Sequence, residues 1–206
     1  MGKGRLEAFS DGVIAIIITI MVLDMKAPHS ADLASLRAVL PAFISYVLSY
    51  LYMGIYWNNH HHLFQVVERV NGATLWANLH LLFWLSLIPF VTRWMGDSHF
   101  GEWPVAVYGV VLLMSAVAWY LECRVLLRIH DEASPITLAL TGNAKEWLSV
   151  VIYAVAIGLA FFNAYLAAIL YAAVALLWIV PDRRLEHVGK RTDVATGTST
   201  RHSNQH

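Results

Sequence analysis

Arg5, Phe9, Ser10 and Asp11 stand directly before the apolar run from Gly12 to Leu23, whose single hydroxyl belongs to Thr19. An arginine and an aspartate at the mouth of an apolar helix are expensive to hold near hydrocarbon. Such residues pair with one another, line a water-filled path or handle ions and protons. A threonine facing such a path supplies an oxygen for a partly dehydrated cation. His60, His61 and His62 add imidazoles, which ligate metals and exchange protons near neutrality. Adjacent helical residues point about 100° apart, however, so three in a row do not converge on one ion. Zinc would need ligands three or four apart, or one from another helix such as His80. No fixed metal site is therefore expected. The histidines read as solvated interfacial groups or interhelical partners, with a role in pH sensitivity left open. Cys123 is the one cysteine, which excludes an internal disulfide and a cysteine-based metal cluster. No Ser, His or Cys arrangement has the spacing of a nucleophile and its base, so the chain does not read as an enzyme.

The elements that hold these residues follow from composition. Hydrophobic residues make up 58% of the 206 positions and charged residues 14%, against about a quarter charged in soluble domains. Mean hydropathy is +0.57. So little polar cover places the chain in a bilayer. The formal net charge is zero, and there is no glycine-rich phosphate loop or basic aromatic patch, so nucleic acid is not an expected partner. The first apolar run lacks a signal-peptidase exit and leads into further membrane segments, so no cleavable signal is expected. A spanning helix needs about 20 apolar residues, and reading for that length yields six: Phe9–Met25, Leu36–Trp57, Leu75–Trp94, Pro104–Leu127, Trp147–Phe162 and Ala164–Val180. The expected fold is an all-α membrane protein with six transmembrane helices, the last two forming a tight hairpin. Pro41 falls in the first turns of the second segment, where a missing N–H does little harm. Pro89 lies inside the third and predicts a kink. Trp57, Trp94, Trp103, Trp147 and Trp178 lie near segment ends, as interfacial anchors do.

With the N-terminus inside, Lys3, Arg5, Arg69, Arg124, Arg128, Lys145, Arg183, Arg184, Lys190, Arg191 and Arg201 are cytoplasmic, and only Lys26, Arg37 and Arg93 fall outside. That bias predicts cytoplasmic N- and C-termini. Residues 1–182 read as one membrane domain. Residues 183–206 read as a polar, disordered cytoplasmic tail.

Drawn as a wheel, the first helix carries Gly12, Ile16, Thr19, Ile20 and Leu23 within about 60° of Ile16, while Ser10 and Asp11 lie more than about 100° away. One side is thus a narrow aliphatic stripe with a hydroxyl, and the other carries groups that need partners. Periodicity leaves the stripe facing lipid, a partner helix or a pore, where aliphatic rings gate by dewetting.

The motif Arg5-x-x-x-Phe9-Ser10-Asp11 resembles the R-x-x-x-F-S-D signature of the transmembrane protein 175 family, the lysosomal potassium channels and their prokaryotic relatives. The resemblance continues through Trp57-Asn-Asn-His60-His-His-Leu63-Phe64-Gln65, then Asn78-Leu79 and Pro89-Phe90. It is closest to the single-repeat prokaryotic members. It implies a homotetrameric, potassium-selective cation channel in the cell membrane, with K+ as permeant ion and no cofactor. By that resemblance the first helix of each subunit lines the pore through Ile16, Thr19, Ile20 and Leu23. Ser10, Asp11, His60 and Asn78 form a hydrogen-bonded cluster behind it, and Arg5 stands at the cytoplasmic entrance. Asp24, just beyond the stripe, would in four copies concentrate cations at the outer mouth. A proton-coupled secondary transporter using Asp11 and His60 is the competing reading. It would show inverted repeats or broken helices at the midplane, and neither is visible in the sequence. A scaffold role would leave the Arg-to-Asp signature unexplained.

Overall fold

The computed structural model describes residues 2–28, 30–131, 134, 136–137 and 144–179, and is helical in every long segment. Helix α1 is Lys3–Leu23, α2 Leu33–Val66, α3 Gly72–Ser86, α4 Ile88–Asp97, α5 Glu102–Leu127, α6 Ala144–Leu159 and α7 Ala164–Ile179. Helices α3 and α4 form one broken segment, so these elements make six helical segments among the described residues. Among the described residues, four segments are long and apolar enough to cross a membrane: Lys3–Leu23, Leu33–Val66, Gly72–Asp97 and Glu102–Leu127. Helices α6 and α7 have 16 residues each and form the expected hairpin through residues 160–163. Asn163 caps α7 by accepting from the Leu166 N–H at 3.0 Å. The chain is a multi-pass membrane protein. The polar tail expected over 183–206, the end of the domain expected at 182, and Val180 of the last segment lie outside the described residues.

Local sequence explains where the helices start and break. Asp32 caps α2, its carboxylate accepting from the Ser35 N–H at 2.7 Å. That backbone bond, with help from the Ser30 and Ser35 hydroxyls, holds the Asp32 carboxyl below its ordinary range. The cap is therefore fully formed at neutral pH and is lost as pH falls through that depressed value. Starting at Leu33, three residues before the expected Leu36, α2 places Pro41 two turns inside the helix rather than in its first turns. The helix tolerates it, and the Ser45 hydroxyl donates to the Pro41 carbonyl at 2.9 Å. With 34 residues, α2 runs about 51 Å, well past a hydrocarbon core of about 30 Å. Its polar Asn-Asn-His-His-His end therefore projects beyond the apolar stretch. Asn71 and Thr74 make a reciprocal capping box at the start of α3. The kink expected at Pro89 appears as a break at Leu87, with Pro89 in the first turn of α4.

Helix α5 is the centre of the bundle, packed on α3, α4, α6 and α7. Two glycines permit the closest approaches. A Cβ at Gly109 would collide with the Tyr171 hydroxyl oxygen, and one at Gly96 would sit 2.6 Å from the Ala42 Cα. A belt of buried hydroxyls ties the helices together. Ser49 of α2 bonds Thr92 of α4 at 2.6 Å and Tyr108 of α5 at 3.0 Å. Tyr52 donates to the Tyr171 carbonyl at 2.7 Å and accepts from Tyr153 at 3.2 Å. Beyond α5, His130 Nδ1 donates to the Leu126 carbonyl at 2.8 Å. Its Nε2 accepts from the backbone N–H groups of Glu68 and Arg69, closing the α2–α3 link onto the end of α5.

Gly96→Ala drives a methyl into backbone that has no rotamer to yield. It should cost about 1–3 kcal/mol, read as a lowered midpoint of thermal unfolding in detergent followed by tryptophan fluorescence. Gly158→Ala, where a Cβ meets nothing within 4 Å, should not lower it.

Candidate functional site

The first helix has two unlike sides. Leu6, Ser10, Ile14, Ile17 and Met21 are buried against α2, α3 and α4. Gly12, Ile16, Thr19, Ile20 and Leu23 face outward, with Ile16 at 60% and Leu23 at 77% exposure. Arg5 and Phe9 fall within about 20° of Ile16 on the same wheel, and both are exposed. Two of the four signature residues thus belong to the outward stripe rather than to the packing behind it. The Thr19 hydroxyl donates to the Ala15 carbonyl at 2.8 Å. Its proton is used on the helix, and its oxygen lone pairs are left pointing outward.

Behind α1 the structure brings Ser10, His60 and Asn78 together, all three fully buried. Asn78 Nδ2 donates to Ser10 Oγ at 3.0 Å, and Ser10 Oγ donates on to the Leu6 carbonyl at 3.0 Å. His60 Nε2 donates to Asn78 Oδ1 at 3.0 Å. One amide from α3 thereby holds α1 and α2 at once. Asp11 is not hydrogen-bonded into this set: its Oδ1 is buried without a partner among the described residues. The reason is the helix itself, since one residue beyond Ser10 points about 100° away. Arg5 does not reach the set either.

The histidine run disperses as helix geometry requires. His60 turns to Asn78, His61 Nδ1 to Glu7 at 3.1 Å, and His62 Nδ1 to Gln65 at 3.3 Å. Among the described residues no three His, Cys, Asp or Glu side chains are placed to share a metal. His80 accepts from the Trp84 indole at 3.0 Å. Lys3 donates to the Val67 carbonyl at 2.8 Å, so the start of α1 is tied to the end of α2.

At the far end of α1, Asp24 accepts from Arg93 at 3.2 Å, and Arg93 also lies 3.6 Å from Asp97. Asp24 follows the stripe but carries a cationic partner, which reduces the field it would add. Sequence reasoning missed Lys3, Glu7 and Arg93. The signal for Arg93 was present, because a charge inside an apolar segment requires a counter-charge. It also passed over Glu122, which α5 buries with both carboxyl oxygens unpartnered among the described residues.

A multi-pass helical bundle that hydrogen-bonds one side of its first helix and leaves the other side bare is the class defined by this fold and site. A family model described as the endosomal/lysosomal potassium channel TMEM175 matches residues 5–89. A potassium channel of Chryseobacterium sp. (strain P1-3) is 54% identical over 186 residues, covering 90% of this chain and 97% of that protein. A potassium channel of Streptomyces collinus is 32% identical over 187 residues, covering 85% and 91%. The crystal structure of a lysosomal potassium-selective channel TMEM175 homolog from Chamaesiphon minutus superposes with a TM-score of 0.75 at 26% identity, over 86% of this chain and 96% of that one. The chain belongs to the TMEM175 family.

Asn78→Ala removes the donor to Ser10 and the acceptor for His60, leaving His60 Nε2 without its partner and Ser10 with only its bond to the Leu6 carbonyl. The expected cost is about 1–3 kcal/mol for the orphaned imidazole N–H, with the lost donor to Ser10 adding to it. Asp11→Ala, which breaks no hydrogen bond among the described residues, should cost less. Thermal unfolding of the two variants side by side checks the order.

Proposed function

We propose that the protein is a passive, potassium-selective channel of the cell membrane, assembled as a homotetramer around four copies of α1. The observation that carries this reading is the outward stripe of Gly12, Ile16, Thr19, Ile20 and Leu23, held away from the bundle by the Ser10–Asn78–His60 cluster. Support comes from the family membership and from relatives named as potassium channels. In the assembled pore Ile16, Ile20 and Leu23 form aliphatic rings that exclude water until the path widens or wets. Thr19 offers outward lone pairs to a partly dehydrated ion, with K+ as the permeant species. Arg5 and Phe9 stand on the same stripe nearer the N-terminus. With cytoplasmic termini, that end is the inner entrance, and Asp24, moderated by Arg93, lies at the outer mouth. Residues 1–182 form the channel domain and 183–206 a cytoplasmic extension. Lipid, further copies of the chain and K+ are its partners. The work is conduction rather than catalysis, and no cofactor is required.

Potassium flux into liposomes holding the purified protein, with sodium and N-methyl-glucamine as comparison cations, tests this. Potassium should be favoured, and Leu23→Asn and Ile16→Asn should each raise the flux several-fold by wetting an aliphatic ring. Thr19→Val should reduce the preference for potassium over sodium while flux persists. Unchanged flux in both asparagine variants would move the pore off α1, and no flux under any gradient would return attention to a proton-coupled carrier.

A further inference from the structure

Two carboxylates stand where helix electrostatics disfavours them. Asp24 caps the C-terminus of α1, its N–H donating to the Ile20 carbonyl at 3.0 Å, and Asp97 is the last residue of α4. A helix C-terminus is the negative end of the macrodipole, so it favours a cation and opposes an anion. The two ends meet at one corner, where Arg93 Nη1 lies 3.2 Å from Asp24 and its Nε 3.6 Å from Asp97. Two carboxylates and two carbonyl-rich helix ends thus share one guanidinium.

This arrangement does little for stability. The side chains are 35% exposed for Asp24, 46% for Arg93 and 49% for Asp97, and ion pairs so open to water are screened by it and by salt. Arg93 also interrupts the apolar segment Gly72–Asp97, and a charge kept inside such a segment points to function. Asp97 aims it. The two residues are one turn apart on α4, so the Asp97 carboxylate takes the Nε side of the fork and leaves Nη1 to reach across to α1.

The corner lines a cavity of about 230 Å³ that Lys26 and His99 also line. Neither makes an ion pair with Asp24 or Asp97 among the described residues, so Arg93 is the cation that both carboxylates use. Without it the corner has the chemistry of a divalent site. Calcium takes carboxylate oxygens in flexible geometry and fills its shell with water, and open extracellular sites hold it at about 0.1–1 mM. A divalent ion gains twice the Coulomb energy of a monovalent one from the same charges.

We propose that Arg93 is a specificity-determining residue: it occupies a cation site formed by Asp24 and Asp97, and so keeps divalent ions off the outer mouth while monovalent ions pass. Placing this corner at a mouth rests on the reading of α1 as the pore helix; its closure to divalent ions does not. The test compares the full-length wild type, Arg93→Gln, Arg93→Lys and the double variant Arg93→Gln with Asp24→Asn, at constant ionic strength. In maltoside detergent, calcium at about 1 mM should raise the thermal unfolding midpoint of Arg93→Gln and leave the other three unmoved. In liposomes with calcium on both faces, each potassium flux is read against the same protein without calcium. The calcium concentration that halves the flux should fall about tenfold in Arg93→Gln, because one positive charge has left the site. Arg93→Lys and the double variant should keep the wild-type tolerance. The double variant discriminates, since a merely structural loss in Arg93→Gln would not be repaired by removing Asp24 as well. An unmoved midpoint in Arg93→Gln overturns the proposal, as does wild-type calcium tolerance in its flux, or calcium inhibition that persists in the double variant. A raised midpoint in Arg93→Gln with no flux from the wild type upholds the cation site and overturns the pore reading alone.

Discussion

In a bilayer, an apolar helix gains nothing by turning one greasy side rather than another toward its neighbours, because lipid tails are as apolar as leucine. The rotation of α1 about its own axis must therefore be set by polar contacts. Asn78 sets it. Its amide donates to Ser10 on α1 and its carbonyl accepts from His60 on α2, so a single side chain on α3 orients two helices. Turning α1 by one residue, about 100°, would exchange Ile16 for Ile17 on the outward side and bury the wrong face. The outward display of Ile16, Thr19, Ile20 and Leu23 depends on that cluster.

The same rule organises the rest of the bundle. Buried hydroxyls with no water to turn to find one another across helices, and the Ser49, Thr92 and Tyr108 set and the Tyr52, Tyr153 and Tyr171 set follow from it. Where hydroxyls are absent, small residues bring backbones close, as Gly96 does against Ala42. Since α1 packs on α2, α3 and α4 while α5 binds the remaining helices, the molecule divides its labour. One half orients the outward stripe, and the other forms the back of the bundle.

Much of this was readable from residue order, and the rest fails for identifiable reasons. The six segments, the closing hairpin and the break beside Pro89 follow from apolar length and from proline chemistry. Ser10, His60 and Asn78 are readable because they are polar residues at matching depth on neighbouring helices. Asp11 is the instructive exception. It adjoins Ser10 in the motif, but adjacency in sequence is about a 100° separation in a helix, and the cluster within the chain excludes it. Asp24 and Arg93 lie 69 residues apart, and no local pattern announces their pairing. The position of Pro41 was misjudged because the apolar run starts at Leu36 while the Asp32 cap starts the helix at Leu33. Glu122 sits in an apolar run, and sequence gives no sign that its carboxyl would be left without a partner among the described residues.

One consequence concerns how the proposed pore separates exclusion from coordination. Along α1, Thr19 lies about 4.5 Å from Ile16 and about 6 Å from Leu23 in axial rise, so an aliphatic ring stands on each side of the hydroxyl ring. A free hydroxyl would turn its proton toward an approaching cation as readily as its lone pairs. Thr19 does not have that freedom, because its proton is held by the Ala15 carbonyl. Four such oxygens would present acceptors alone to the axis, at the point where a cation has begun to lose water to the aliphatic ring before it. In that pore the side chains around it would supply no ligands and set the dehydration cost, and the one hydroxyl in the run would offset part of it. In such a pore a valine at that position would keep the shape and remove the compensation, so a single threonine within an otherwise aliphatic stripe would carry the chemistry of the path.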